Sequence, residues 1–133
     1  MALLDKKHNV EKNTTISKSF KHAYDGVVYT IIKERNMHIH LIVSVLVLFF
    51  GAFFSISYTE WLVCLVLIGL VLSLELLNTA IETVVDLITT DENKYAKTAK
   101  DVSAGAVLVS AIISAFIGLV IFLPKIFNFI INL

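Results

Sequence analysis

The sequence predicts an all-α integral membrane protein, an N-terminal amphipathic surface helix followed by three transmembrane helices. Three observations carry that prediction. The 133-residue chain is 57% apolar and only 17% charged, with a mean hydropathy of +0.83, whereas a soluble domain of this size carries a more charged surface. Its apolar residues gather into three runs long enough to cross a bilayer. Its basic residues cluster in the short flanks before the first run and after the second, on what would be one side of the membrane.

Residues 1–15 form a polar tail, and no apolar run begins until after His40. A cleaved secretory signal places its apolar stretch earlier, so the chain is expected to enter the membrane through its own spans. From 16 to 32 the pattern is helical and two-faced. Ile16, Phe20, Tyr24 or Val27, and Ile31 recur at intervals of three or four, with Lys18, Lys21, His22 and Asp25 between them. This reads as a helix lying on the membrane surface, with an ordinary packed helix as the alternative.

The first membrane helix is placed at 37–57. From Leu41 to Ile56 only Ser44 and Ser55 are polar. Tyr58, Glu60 and Trp61 are read as a short turn with two interfacial aromatics. The second membrane helix, 61–88, is roughly 42 Å long, more than the hydrocarbon thickness, so its second half reaches the interface. Thr89 to Asp101 is a polar loop or helical extension. The third membrane helix, 102–123, is rich in small residues, among them Ser103, Gly105, Ser110 and Gly118, that favour close helix contacts. Pro124 is expected to end it. These segments are taken together as one domain, 1–133.

Seven lysines and arginines precede the first span, and Lys94, Lys97 and Lys100 follow the second. The connection between the first two spans has none, and Lys125 alone follows the third. This asymmetry predicts a cytoplasmic N-terminus and an external C-terminus in a plasma membrane. A net charge of zero offers nucleic acid no general electrostatic footing. Cys64, the one cysteine, sits in an apolar run, which excludes a disulfide framework and suits it to packing.

The second span carries the chemistry. Glu75, Asn78, Glu82 and Asp86 are three, four and four residues apart, which gathers them into one stripe about 80° wide. Glu75 lies about 16 Å of helix before Asp86. Carboxylates at such depth are costly and mark functional or strongly paired sites. Blander readings exist: Asp86 as an interfacial charge, Glu82 neutralised by a lysine, Asn78 as interhelical glue. Glu75 resists such a reading, since nothing in its own span can pair with it. Glu34, Arg35, Lys100 and Asp101 flank the other spans at the same cytoplasmic level. Carboxylates from separate helices that hold a divalent cation, with a lysine for phosphate, are the parts that phosphoryl transfer needs. Neither GxxxxGK[ST] nor GxGxxG occurs, so neither common nucleotide-binding architecture applies.

The segment SLELLNTAIETVVDLIT, Ser73 to Thr89, with SFKHAYDG, KERNMHIHL and AKTAKDVSAGAVL in order and spacing, resembles the bacterial integral-membrane diacylglycerol kinase family. The likeness spans roughly Thr15 to Leu123 and is greatest to its Gram-positive undecaprenol kinase branch. It implies a homotrimer with composite sites that moves the ATP γ-phosphate to a lipid alcohol, with Mg²⁺ as the accompanying cation. It implies Glu75 as general base, Asn78 beside it at the catalytic centre, and Glu34 and Glu82 as metal ligands. Asp86, Lys100 and Asp101 correspond to nucleotide-site residues. Thr15 stands where many members have an arginine, and Lys12 or Lys18 is the candidate replacement for that nucleotide contact. His40 stands where the diacylglycerol kinase branch often has a glutamate, which favours undecaprenol over diacylglycerol as acceptor. Two readings compete, a non-enzymatic membrane scaffold and an ion or proton pathway, and neither accounts for the ordered match.

Overall fold

The computed structural model describes residues 16–89 and 93–132, and every described element is a helix. In chain order these are α1 (Ile16–Lys33), α2 (Arg35–Phe53), α3 (Tyr58–Ile88) and α4 (Lys94–Ile131). Three of them, α2, α3 and α4, are long and apolar enough to cross a membrane. The polar N-terminal tail, including Lys12 and Thr15, lies outside the described residues.

α1 leaves its apolar stripe uncovered: Ile16, Phe20 and Tyr24 are all exposed, and Thr30 is its one buried residue. A helix packed into a protein core hides such a stripe; this one is free to meet a membrane surface. Only Glu34 separates α1 from α2. Its backbone is extended, and its side chain does not cap α2, so the carboxylate is not used up in starting the helix.

α2 ends in a tight reversal. Ser55 takes a positive φ of 50°, and the Ile56 amide donates to the Gly51 carbonyl at 3.1 Å, closing the helix end in the manner of a left-handed C-terminal cap. α3 then starts three residues earlier than the apolar run suggests. Ser57 and Glu60 form a reciprocal capping box, with the Ser57 amide donating to Glu60 Oε2 at 2.7 Å and the Glu60 amide to Ser57 Oγ at 3.3 Å. Tyr58, Glu60 and Trp61 are thus the first turn of α3 and not a connection.

Gly51 is required where the α2 end meets α3. A Cβ there would fall 2.8 Å from the Trp61 ring and 3.2 Å from Ile56 Cδ1. Trp61 packs on the buried cluster of Ile56, Cys64 and Ile121, so the ring has little room to retreat. A helical Gly→Ala change gains about 1 kcal/mol of propensity, while overpacking costs about 1–3 kcal/mol. Gly51→Ala is therefore expected to lower the thermal unfolding midpoint in micelles. A raised midpoint would show that the ring moves freely.

α4 corrects one expectation. It begins at Lys94, capped by Asn93, whose Oδ1 accepts from the Tyr95 amide at 2.8 Å. It then runs through Pro124 to Ile131 instead of stopping at the proline. An interior proline costs about 3 kcal/mol, and contacts beyond it offset that cost. Lys125 Nζ lies 3.2 Å from Glu60, and Phe129 packs edge-on to Phe53 with ring centroids 5.6 Å apart. Of the small residues, Ser103 and Ser110 are buried within the chain together with Val107 and Ile121, while an added Cβ at Gly105 or Gly118 meets nothing within 4 Å.

α3 is the centre of the chain, packing against both α2 and α4, with lighter contact to α1. The interior has an inverted character. Large apolar side chains along α2, α3 and α4 face outward, while Glu75, Asn78, Thr79, Ser103 and Ser110 are buried. Lipid solvates apolar surface, so helix association here relies on packing and polar contacts and not on hiding hydrophobic groups.

Candidate active site at the polar stripe of the central helix

Glu75 is the most enclosed large side chain described, at 1% exposure. Both of its carboxylate oxygens are buried without a hydrogen-bond partner among the described residues. Its surroundings do not neutralise it: Glu34 and Glu82, both acidic, lie within electrostatic reach. The side chain borders a cavity of about 210 Å³, shared by Asn36 and His40 of α2, Asn78 of α3, and Ala104 and Ala111 of α4. Burying a polar group without a partner costs free energy. A chain that keeps such a group, aimed at a cavity, is arranged to receive something there.

One helical turn on, Asn78 is buried and hydrogen-bonded in two directions. Its Nδ2 donates to Glu82 Oε1 at 3.1 Å, and its Oδ1 accepts from Ser103 Oγ at 2.6 Å. Glu82 is partly exposed. At the far end Lys100 of α4 reaches across to Asp86 at 2.5 Å. Along the stripe, a sealed carboxylate gives way to a half-open one and then to an exposed ion pair.

Glu34 arrives from the α1–α2 junction, with its side chain 18% exposed and 3.8 Å from Lys33 Nζ. The Lys33 ammonium sits 5.5 Å from the Tyr29 ring centroid. Its pKa is raised above the ordinary lysine value, by the Tyr29 hydrogen bond most, with desolvation opposing and the charges of Tyr29, Glu34 and Glu82 adding to the rise. Lys33 thus remains a cation beside this acidic cluster. Sequence reasoning had not singled it out, because charge next to a helix end reads as ordinary surface.

Two expected residues stand apart. Asp101 pairs with Lys97 on its own helix at 2.5 Å, one position round from the face that Lys100 presents. Lys18, exposed on the first turn of α1, makes no ion pair or hydrogen bond among the described residues. Ser103 had been noted only as a small residue. Lys100, Ser103, Val107 and Ser110 are spaced three, four and three apart, so the periodicity that exposes the α3 stripe also puts Ser103 on the face of α4 that Lys100 occupies.

A much larger apolar groove, about 750 Å³, runs between α2 on one side and α3 and α4 on the other. Val47, Phe50, Ile68, Val71 and Phe122 are among its walls, and His40 and Ala111 border both it and the Glu75 cavity. Its size is within the usual range for ligand pockets. The Glu75 carboxylate thus stands between an apolar channel at membrane depth and a charged, open end at the α1–α2 and α3–α4 junctions.

Among the described residues, no group of three or more histidine, cysteine, aspartate or glutamate side chains is gathered as a ready metal cage. Mg²⁺ does not need one, since it binds through one or two carboxylates with water and substrate phosphates completing its shell. Glu34 and Glu82 are carboxylates of the kind such binding uses: Glu34 is free of capping duty, and Glu82 has one oxygen engaged by Asn78 and the other without a hydrogen bond among the described residues.

Comparison with known proteins identifies the family. The family model described as prokaryotic diacylglycerol kinase matches residues 21–122. An undecaprenol kinase of Bacillus subtilis (strain 168) is 48% identical over 122 residues, covering 92% of this chain and 99% of that protein. A diacylglycerol kinase of Synechocystis sp. is 38% identical over 111 residues, covering 83% of this chain and 63% of that one. The match runs from α1 through the stripe of α3 and nearly to Pro124, and the chain belongs to the prokaryotic diacylglycerol kinase family.

Proposed function

We propose that this protein is a membrane lipid kinase that transfers the γ-phosphate of ATP to the hydroxyl of undecaprenol, giving undecaprenyl phosphate. The observation that carries the reading is Glu75, a buried carboxylate with both oxygens unpaired among the described residues, set between an apolar groove and a charged mouth. The acceptor chain lies in the groove and its hydroxyl passes His40 to reach Glu75, which takes the proton as oxygen attacks phosphorus. Asn78 stands beside that point. Nucleotide occupies the open end, where Lys100, released from Asp86, meets phosphate, with Asp86 and Asp101 at the rim. Glu34 and Glu82 hold Mg²⁺, which when bound supplies charge neutralisation for the transferring phosphoryl group. Lys18 on α1 completes the nucleotide contacts in place of an arginine at Thr15.

Undecaprenol is preferred as acceptor because the relative named as an undecaprenol kinase matches nearly end to end. We also infer a homotrimer, in which a neighbouring subunit covers the open side of the stripe. The distribution of Lys33, Arg35, Lys94, Lys97 and Lys100 against the Glu60-paired Lys125 supports a cytoplasmic N-terminus. A scaffold would be expected to pair its buried polar groups across helices, which Glu75 does not do.

The deciding experiment measures phosphoryl transfer from ATP to undecaprenol and to diacylglycerol in mixed micelles, with and without Mg²⁺. Faster, Mg²⁺-dependent transfer to undecaprenol is expected. Preference for diacylglycerol would reassign the acceptor, and transfer to neither by assembled protein would remove the kinase reading.

A further inference from the structure

Ser103 and Asn78 form a buried polar contact between α3 and α4 whose donor directions are fixed by chemistry. Three heavy-atom distances define it. Asn78 Nδ2 lies 3.1 Å from Glu82 Oε1. Ser103 Oγ lies 2.6 Å from Asn78 Oδ1 and 2.9 Å from the Lys100 carbonyl. A side-chain amide can be turned over, so its oxygen and nitrogen are assigned from their partners. An ionised Glu82 only accepts, and so requires the Asn78 NH₂ on its side. The Asn78 oxygen must then face Ser103, and Ser103 must donate to it. If the single hydroxyl proton goes to the Lys100 carbonyl instead, Asn78 turns, and two oxygens confront each other at Glu82.

We propose that Ser103 is a positioning residue of the phosphoryl-transfer site: its hydroxyl proton locks the Asn78 amide, and the amide holds one oxygen of Glu82 so that the other stays directed to the cation. The proposal rests on the kinase reading, and it uses a residue that touches neither substrate. Local back-bonding to the Lys100 carbonyl is the competing state that helical serines ordinarily adopt. The relay is therefore a two-position switch biased toward Glu82 by its negative charge.

The test uses the full chain in micelles, with Ser103→Ala and Ser103→Thr as the pair. Ser103→Ala is expected to raise the Mg²⁺ concentration for half-maximal transfer about two- to tenfold, the scale of one hydrogen bond, with the acceptor KM unmoved. Ser103→Thr keeps the hydroxyl and restores the wild-type Mg²⁺ dependence. The second readout needs no turnover. The ¹⁵N side-chain amide resonance of Asn78, assigned by its loss in Asn78→Asp, moves in Ser103→Ala and returns in Ser103→Thr. An unmoved resonance, an unchanged Mg²⁺ dependence, or equal impairment by Ala and Thr would each overturn the relay. If the wild-type protein phosphorylates no lipid alcohol, the kinase reading fails separately, and the amide resonance alone then decides whether Ser103 orients Asn78.

Discussion

Glu75→Gln is expected to lower lipid phosphorylation by about 10²–10⁴-fold, the usual contribution of a positioned general base, while the protein assembles normally and becomes more resistant to heat. Both halves follow from the same side chain. The carboxylate is 1% exposed, with no hydrogen-bond partner for either oxygen among the described residues and two further carboxylates within electrostatic reach. A neutral amide of nearly the same shape lowers the desolvation cost and removes the like-charge repulsion, so stability rises. It cannot accept the acceptor's proton, so chemistry stops. Lipid phosphorylation in single turnover, with a thermal melt of the same preparation, checks both. A variant that is less active and also less stable would make Glu75 a structural residue. One that is more stable but fully active would place the base elsewhere.

That opposition between stability and activity was only partly legible in the sequence. The stripe itself was visible, because helical periodicity is simple arithmetic and no proline interrupts α3. Glu75 stood out because nothing in its own span pairs with it, and the structure extends this to the whole described chain. Interhelical partners were not legible. Ser103 looked like a packing residue because a hydroxyl that glues helices and one that orients an amide share a residue type. Asp101 is assigned to the nucleotide site through the family resemblance, and the structure adds an ion pair with Lys97 on its own helix.

The fold shows the same division. Span number and order follow from hydropathy, which reports what lipid accepts. Helix ends follow from local hydrogen bonds and from contacts made elsewhere, and here the sequence misled. Ser57 and Glu60 start α3 before the apolar run does. At Pro124 the rule that proline stops a helix is overridden by Lys125 on Glu60 and Phe129 on the α2 end. Each element was read in isolation, and the override comes from another element.

Glu82→Gln should fail differently from Glu75→Gln, and the contrast separates the two ends of the stripe. Glu82 is partly exposed and tied at one oxygen to Asn78, and it lies within electrostatic reach of Lys33 and Glu75. As a cation ligand it must be ionised, and its amide would weaken Mg²⁺ more than the about 10–100-fold typical of losing an outer-sphere partner. The expected result is a steep rise in the Mg²⁺ and ATP concentrations for half-maximal transfer. Raising Mg²⁺ should recover much of the rate, since Glu75 is intact. Glu34→Gln should shift the same two parameters, with the acceptor KM unchanged in both variants. Glu75→Gln, by contrast, should leave the Mg²⁺ dependence of nucleotide binding where it is and resist rescue at any concentration. If Glu82→Gln instead lost rate without a change in Mg²⁺ dependence, Glu82 would belong with Asn78 and Ser103 as part of the polar scaffold. The cation would then have to be held by Glu34 and the nucleotide alone.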